Sequence, residues 1–359
     1  MFSRLKLLIS TFIVLAVAAR LAPAVAAEGL TVTLSIEAAG PSTLAASSGV
    51  PLRFTLQNES RTTLRVARWQ TALTGDLYGP IFSVTREGRE VEYVGKIYKL
   101  RATPLASDYI TLRAGASTSR VIDLSEFYDL SGGGSYAVTY RAPVSDSVGA
   151  AAIGTSPSAP HVSNVVYFER APGAAPATGS AGSGDITTQA LAPVFRSCSS
   201  SRQTTLRTAL PNAENYARES LSFLQNLPSS QRPSNARYKT WFGAYTSSRY
   251  STVQSHFSKI AGALTGRTIA FHCDCNDSAY AYVFSNDPYN IHLCQAFWSA
   301  PARGRDSKAG TIIHEMSHFD VNGGTDDHVY GETGAKNLAR TSPSRAVMNA
   351  DSHEYFAEQ

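Results

Sequence analysis

A run of small, flexible residues divides the chain into two unequal parts. Positions 172–190 consist mostly of Pro, Gly, Ala, Ser and Thr, and this composition buries too little apolar surface to fold. We therefore predict a flexible linker there, between one domain over 28–171 and another over 191–359. A chain of 359 residues with 43% hydrophobic content is large enough for two cores.

The first residues have the features of a secretion signal. Arg4 and Lys6 precede an apolar run over 7–19 that is too short to span a bilayer, and small residues follow it. We predict a signal peptide over 1–27 and a secreted, extracellular protein without a membrane anchor. The net charge of +4 is too small to favour nucleic acid as a partner, and we expect a monomer.

The region 28–171 has the pattern of antiparallel β structure. Apolar and polar residues alternate over 30–36, 52–56 and 136–140, and a period of two indicates strands with one buried face. Residues 86–89, between two such runs, have the composition of a hairpin turn. Short strands with frequent turns predict an all-β, immunoglobulin-like antiparallel sandwich.

The region 191–359 has a mixed pattern. Apolar residues at helical spacing run from Leu206 to Leu224, and Pro228 is expected to end this helix. Pro211 falls inside the stripe and is expected to split it or to start a second helix. The other elements that the pattern predicts are a helix over 250–264 and strands over 268–271, 279–284 and 290–293. We predict an α+β domain that is mainly helical with a small sheet.

Residues 314–318 read His-Glu-Met-Ser-His, in a proline-free stretch whose apolar face favours a helix. Residues four apart share a helix face, so His314 and His318 can bind one Zn²⁺. Glu315 then lies beside the metal and can accept a proton from water, whose pKa zinc lowers. The pattern predicts one catalytic zinc ion with Glu315 as the general base.

A catalytic zinc of this kind needs a third protein ligand. Val321 and Gly324 stand where a metzincin would have glycine and histidine, which excludes that class. The downstream acidic residues that could serve are Asp326, Asp327, Glu332 and Glu354. The first two are the nearer candidates, in the segment Gly-Thr-Asp-Asp-His-Val-Tyr-Gly at 324–331.

The two motifs together, H-E-x-x-H and G-T-x-D-x-x-Y-G, resemble those of the deuterolysin family, also called aspzincins. The resemblance extends over nearly all of 195–359 and is closest to the peptidyl-Lys metalloendopeptidase branch. It implies a zincin-like catalytic domain in which Asp327 is the third zinc ligand and Tyr330 hydrogen-bonds the oxyanion. It also implies an endopeptidase that acts on proteins or peptides.

All four cysteines lie in the C-terminal half of the chain. An even number in an exported protein indicates two disulfides, with a structural zinc site as the alternative. A single intervening residue disfavours a bond between Cys273 and Cys275, and the residues alone leave the pairing open. The family resemblance implies Cys198–Cys273 and Cys275–Cys294.

Two carboxylates near the C-terminus suggest a pocket for a cation. Asp351 and Glu354 are three residues apart and would share one face of a helix. The resemblance implies that these positions bind a lysine directly after the cut bond, at P1′. The alternative is a solvated acidic face.

The N-terminal domain contains two lysines, Lys96 and Lys99, and none follows over 100–238. We predict that a loop over 96–99 places one of these lysines in the acidic pocket, so that the prodomain inhibits the enzyme. A strictly lysine-specific enzyme could then not cut its own linker. The alternative explanation for the missing lysines is a general preference for arginine over lysine in the composition of the chain.

These patterns predict a secreted zinc endopeptidase, made as a proenzyme, that prefers lysine at P1′. One alternative is a deuterolysin-type protease of broader specificity. Another, from a different class, is an exported protein that binds zinc without catalysis. Glu315 and Tyr330 argue against the last, because a binding protein has no use for a base beside the metal.

Overall fold

The computed structural model describes residues 29–37, 44–45, 48–141, 162–171 and 192–359. The predicted signal peptide and the predicted linker lie outside these residues. In the part of the chain that is described, no helix is both long and apolar enough to cross a membrane. The described residues form a β-rich N-terminal region and a C-terminal region of helices and sheet.

The alternating segments of the N-terminal region form antiparallel sheets. Its strands are β1 (Leu30–Ile36), β2 (Pro51–Asn58), β3 (Leu64–Ala67), β4 (Phe82–Arg86), β5 (Arg89–Glu90), β6 (Lys96–Lys99), β7 (Tyr109–Leu112), β8 (Ser117–Asp123), β9 (Gly134–Tyr140) and β10 (Val166–Arg170). Three strands pair in the order β1-β2-β8, four in the order β10-β9-β4-β5, and β3 pairs with β7. The β-rich prediction is confirmed, whereas the immunoglobulin-like sandwich stays a prediction.

One apolar core joins the two larger sheets. Phe54 of β2 is fully buried, and its ring centroid lies 6.3 Å from that of Phe82 in β4 and 5.4 Å from that of Tyr140 in β9. Full burial of such a side chain contributes roughly 1.5–3 kcal/mol to folding. The predicted hairpin turn joins β4 to β5, and both of its central residues, Glu87 and Gly88, have positive φ.

The C-terminal region packs eight helices around a small sheet. Its strands are β11 (Val194–Arg196), β12 (Ala270–His272), β13 (Ala281–Phe284) and β14 (Asn290–Leu293). Its helices are α1 (Ser200–Asn226), α2 (Ala236–Phe242), α3 (Ser247–Gly266), α4 (Gln295–Ser299), α5 (Lys308–His318), α6 (Gly331–Thr341), α7 (Pro343–Ala346) and α8 (Ala350–Ala357). Helix α5 lies centrally and packs against α1, α8 and β13.

The sheet of the C-terminal region includes a strand from the N-terminal region. Its order is β11-β12-β14-β13-β6, and β6 pairs antiparallel with β13 in the register Lys99 to Ala281 and Lys96 to Phe284. The prediction of a loop over 96–99 is therefore wrong. The segment is extended because its backbone hydrogen-bonding partner is β13, which lies far away in the sequence.

Helix α1 is continuous, so the prediction that Pro211 divides it is wrong. Proline removes one backbone donor and crowds the preceding turn, yet Pro211 lies on the exposed face of the helix. Water can hydrate the freed carbonyl there, while the opposite face keeps Leu206, Leu210 and Leu224 in the core. The helix ends at Asn226, ahead of Pro228 as predicted.

Two disulfides link the sheet to its surroundings. Cys198 bonds to Cys273 and Cys275 bonds to Cys294, with Cα–Cα distances of 5.0 and 4.6 Å. This is the pairing that the family resemblance implies. Both bonds end beside β12 or β14 and so connect the start of α1 and the loop before β13 to the sheet.

Candidate metal centre and acidic pocket

The metal motif lies on the buried helix α5. The hydroxyl of Ser307 caps this helix by accepting a hydrogen bond from the Gly310 amide at 2.9 Å. A Cβ atom at Gly310 would lie 2.0 Å from Glu358 Oε1, so glycine here leaves room for the Glu358 side chain in its present position. The helix thereby presents His314 and His318 on one face, and both are fully buried.

The chain after α5 returns Asp327 to these two imidazoles. A positive φ at Gly324 turns the backbone, and the Thr325 amide donates to the Ser317 carbonyl at 3.2 Å. Asp327 Oδ1 then lies 3.1 Å from His314 Nε2, and Oδ2 lies 3.5 Å from His318 Nε2. Two ligand atoms on one tetrahedral zinc lie roughly 3.3 Å apart, so these spacings suit such an ion.

The other ring nitrogen of each histidine is held by an oxygen atom. His318 Nδ1 lies 2.6 Å from the Thr325 carbonyl oxygen, and His314 Nδ1 lies 2.8 Å from Asp351 Oδ1. A proton on His318 Nδ1 satisfies the first contact, whereas His314 Nδ1 and Asp351 approach closely without the alignment of a hydrogen bond. With the proton on Nδ1, the Nε2 lone pair of each ring faces Asp327. Outer contacts of this kind fix the orientation of histidine ligands around zinc.

The chemistry of this cluster fits a zinc ion. Within the part of the chain that the structure describes, His318 Nε2 and Asp327 Oδ1 are buried without a hydrogen-bond partner, which is costly unless something else binds them. Burial opposes ionisation of Asp327, but His314 and His318 outweigh it and hold the pKa of its carboxyl well below its usual range. One carboxylate and two imidazoles make a zinc ligand set that keeps an open position.

Glu315 lies beside the cluster without joining it. Both of its carboxylate oxygens are buried and have no hydrogen-bond partner among the described residues. Burial raises the pKa of Glu315 to about 7, against the opposing effect of His314 and His318. A carboxylate with a pKa near neutrality can both accept and return a proton.

Tyr330 connects the cluster to β6. Its hydroxyl donates towards the Tyr98 carbonyl oxygen at 2.8 Å and lies 3.1 Å from Asp327 Oδ2. Burial and then the charge of Asp327 raise the pKa of Tyr330 well above its usual value, so the hydroxyl keeps its proton. It is therefore a hydrogen-bond donor aimed at a peptide carbonyl.

Asp351 and Glu354 lie on one face of α8, where they contact Lys99. The Lys99 ammonium is 2.5 Å from Glu354 Oε2 and 3.4 Å from Asp351 Oδ1, and all three side chains are buried. Burial lowers the pKa of Lys99, but the two carboxylates outweigh it and raise that pKa well above its usual value. The pocket is therefore a buried cation site rather than a solvated acidic face.

The other candidate ligands do not join this cluster; Glu354 contacts the other nitrogen of the His314 ring, Nδ1, at 3.3 Å. The Asp326 carboxylate is half exposed and lies 3.9 Å from His328 Nε2, because the Asp326 backbone bridges to Asn349. Glu332 is partly exposed and pairs with Lys336. Two further groups could hold a metal ion: His314 with Asp351 and Glu354, where the Lys99 ammonium lies, and His272, Asp274 and His292 beside the sheet. In the latter, the centroids of the two imidazole rings are 4.1 Å apart.

Sequence reasoning missed two features of this site. The contact of Asp351 with His314 joins residues 37 positions apart. The only signal for it in the sequence is that a carboxylate and an imidazole can pair. The bond from Tyr330 to the Tyr98 carbonyl depends on β6 joining the other sheet. No local pattern in 96–99 indicates that partner, although the two lysines drew attention to the segment.

Comparison with known proteins gives matches of different lengths. A family model described as lysine-specific metallo-endopeptidase matches residues 228–358. An extracellular protease of Aeromonas hydrophila is 37% identical over 310 residues, which are 86% of this chain and 88% of that one. A peptidyl-Lys metalloendopeptidase of Pleurotus ostreatus is 52% identical over 46% of this chain and 95% of its own. A solved zinc peptidase from Grifola frondosa is 47% identical over 45% of this chain and 96% of its own, with a TM-score of 0.42.

Proposed function

The chain belongs to the aspzincin, or deuterolysin, family of zinc metalloendopeptidases, and we propose that it is a secreted proenzyme that cuts peptide bonds directly before lysine. Membership follows from the family model that matches residues 228–358, together with the 37% identity to the Aeromonas protease over most of both chains. Two disulfides among the described residues suit an oxidising compartment, and that relative is named as extracellular. We expect the mature enzyme to be a monomer.

We propose that His314, His318 and Asp327 hold one catalytic Zn²⁺. When bound, such an ion polarises the carbonyl to be cut and lowers the pKa of water. Glu315 accepts the proton of the attacking water and passes it to the leaving amine. The Tyr330 hydroxyl donates to the carbonyl oxygen as that oxygen gains charge, an interaction that can be worth several kcal/mol in a preorganised site.

The observation that carries the lysine specificity is the position of Lys99. Its ammonium lies between Asp351 and Glu354, while the carbonyl of the preceding residue, Tyr98, accepts a hydrogen bond from Tyr330. A substrate with lysine at P1′ would present the same two groups at the same spacing. Two buried carboxylates favour an ammonium and disfavour an apolar side chain.

The same contacts support an inhibitory role for the N-terminal region, over 28–171, as a prodomain. Strand β6 adds to the edge of β13, where its Tyr98 carbonyl contacts Tyr330 beside the candidate metal ligands and its Lys99 side chain fills the acidic pocket. Addition of a strand to a sheet edge is a common mode of peptide recognition. We propose that β6 excludes substrates in this way until the prodomain leaves after a cut in the 172–190 linker.

Digestion of a defined peptide set tests the proposal. The activated enzyme should cut before lysine, lose activity with a chelator, and regain it when zinc is added. The Glu315→Ala variant should bind zinc and leave the peptides intact, with a loss of about 10²–10⁴-fold or more in rate. Mass spectrometry of the products decides: cuts unrelated to lysine would indicate a protease of broader specificity. Zinc binding without any cut would indicate a binding protein.

A further inference from the structure

The peptide bond between Tyr98 and Lys99 has, on both sides, the contacts that the proposed function assigns to a bond to be cut. We propose that this bond is hydrolysed in place, and that the nicked N-terminal region stays bound to the site that it blocks. The inference rests on the proposed function, because it takes Lys99 as a P1′ residue. It adds a cleavage site within the prodomain that differs from the linker cut.

The bond lies in the register of a substrate on both sides. Upstream, the Tyr98 carbonyl oxygen is 2.8 Å from the Tyr330 hydroxyl. Downstream, the Lys99 side chain fills the acidic pocket, and its carbonyl accepts a hydrogen bond from the Tyr280 amide at 2.9 Å. These are the contacts that the proposed function assigns to a substrate with lysine at P1′.

The proposed step is an ordinary hydrolysis. One water molecule adds across the Tyr98–Lys99 bond, whose carbon–nitrogen link breaks. Tyr98 gains a carboxylate and Lys99 gains a free amino group, and Glu315 carries the water proton to that amine. The reaction needs no oxidant, reductant or further reactant.

Contacts on the upstream side hold the chain independently of this bond. The Tyr78 hydroxyl donates to Asp277 Oδ2 at 2.7 Å, and the Tyr78 carbonyl accepts from the Tyr98 amide at 3.2 Å. The Tyr98 ring lies between those of Tyr78 and Tyr282, with centroids 4.6 and 4.8 Å away. The new carboxylate end would therefore remain in the site.

Contacts on the downstream side hold the segment that would carry the new amine. Arg101 Nε donates to the Ser278 carbonyl at 2.9 Å, and the Ser278 hydroxyl donates to Asp108 Oδ1 at 2.7 Å. The Lys99 ammonium also stays between its two carboxylates. The leaving amine is thus held beside the new carboxylate, where the bond can re-form.

The fold also joins the two fragments to each other. Strands before the bond pair with strands after it: β2 with β8, β3 with β7, and β4 with β9. A nick between Tyr98 and Lys99 would leave these sheets and their common core intact. We therefore expect the nicked chain to stay latent and to behave as one particle.

The test uses the full chain, purified with a chelator and then loaded with zinc. Samples taken over time are denatured and weighed by mass spectrometry, while parallel samples pass through gel filtration without denaturant. We expect two fragments separated between positions 98 and 99, which co-elute with intact protein. Neither the chelated parent nor zinc-loaded Glu315→Ala should contain them.

Two lysine variants serve as a matched pair. Lys99→Ala should abolish the cut at this bond, because the pocket loses its cation. Lys96→Ala should be nicked as the parent is, because Lys96 pairs with Asp76 of the same region and lies outside the pocket. Equal nicking of both variants would contradict the proposed register.

The result separates this inference from the function on which it rests. Protein whose linker has been cut by limited proteolysis, and from which the N-terminal region has been removed, is given a lysine-containing peptide in the same experiment. If it cuts that peptide before lysine while the Tyr98–Lys99 bond stays whole in the zinc-loaded chain, the inference is overturned alone. If it does not cut the peptide, both fail. Fragments that separate in gel filtration would overturn the claim of retention.

Discussion

At the scale of single residues, Asp351 has the most varied contacts in the site. One of its oxygens lies 2.8 Å from His314 Nδ1 and 3.4 Å from the Lys99 ammonium, and the other accepts from the Gly331 amide at 2.6 Å. Burial and the charge of Asp327 raise the pKa of Asp351. Lys99 and His314 outweigh them and keep this pKa below its usual value. Under the proposed function, Asp351 would connect recognition of lysine to the orientation of a metal ligand.

This double contact predicts different effects for the two pocket carboxylates. Asp351→Ala should reduce both the preference for lysine and zinc affinity, the latter by about 10- to 100-fold, as for other outer partners of a histidine ligand. Glu354→Ala should reduce mainly the preference for lysine, because Glu354 Oε2 lies 2.5 Å from the ammonium and farther, 3.3 Å, from His314 Nδ1. Zinc titration and product mapping measure the two effects. Equal zinc affinities in both variants would show that Asp351 does not orient His314.

At the scale of elements, β6 is the strand that connects the two regions. Lys99→Ala removes the buried ion pairs of this strand, so uncut protein should hydrolyse a lysine peptide faster than the parent. Loss of one partner of a buried ion pair typically costs about 3–5 kcal/mol, which would weaken the binding of β6 to the site. Lys96→Ala is the control, because that lysine is partly exposed. Equal latency of the two variants would argue against inhibition through the pocket.

Helix α8 carries the pocket and rests on α3 through two buried histidines. His256 Nδ1 lies 3.0 Å from His353 Nε2, while His353 Nδ1 lies 3.1 Å from the Asn349 carbonyl oxygen. Burial, with a smaller effect of Lys259, lowers the pKa of His256 to about 4, and burial and His256 lower that of His353 to about 3. Both rings are therefore neutral in the fold at neutral pH.

This pair predicts loss of stability in acid. The unfolded chain protonates these imidazoles near pH 6.5, and the folded chain does so only below about 4, so unfolding binds protons between these values. The free energy of unfolding should fall as the pH drops through this window, by at most about 1.4 kcal/mol per pH unit for each ring. Thermal melting of the parent and of His256→Gln measures it. An equally steep decline in the variant would rule out His256 as a cause.

Elements with a local cause could be predicted from the sequence. The helix of 314–318 follows from its motif and apolar face, and β1, β2 and β9 follow from alternation of period two. The continuity of α1 through Pro211 could not be predicted, because it depends on which face of the helix meets water. The strand β6 could not either, because its partner β13 lies about 180 residues later in the chain.

The residues of the candidate site could be predicted only in part from local spacing. His314, Glu315 and His318 came from spacing alone, whereas Asp327, Tyr330 and the disulfide pairing came from a family resemblance. Spacing could not decide between Asp326 and Asp327, because the choice depends on the turn at Gly324 and on the backbone bridge of Asp326 to Asn349.

At the scale of the whole molecule, the distribution of lysine limits what the enzyme can do to itself. No lysine occurs over 100–238, so the linker offers no bond that a strictly lysine-specific protease would cut. Purified zinc-loaded protein should therefore keep its N-terminal region, whereas addition of a protease of different specificity should release it. Glu315→Ala should be released equally well by the added protease. Release from the pure parent alone would indicate relaxed specificity.

The place of β6 at the edge of the sheet also limits which proteins the mature enzyme could digest. Once β6 has left, β13 would offer a row of free backbone groups that only an extended segment of several residues can match. A lysine on a stable helix of a native protein cannot meet that demand until the helix unravels. The rate of digestion of each target protein would then depend on how often it unfolds locally. Stable folded proteins would be digested slowly, and destabilised or denatured ones quickly.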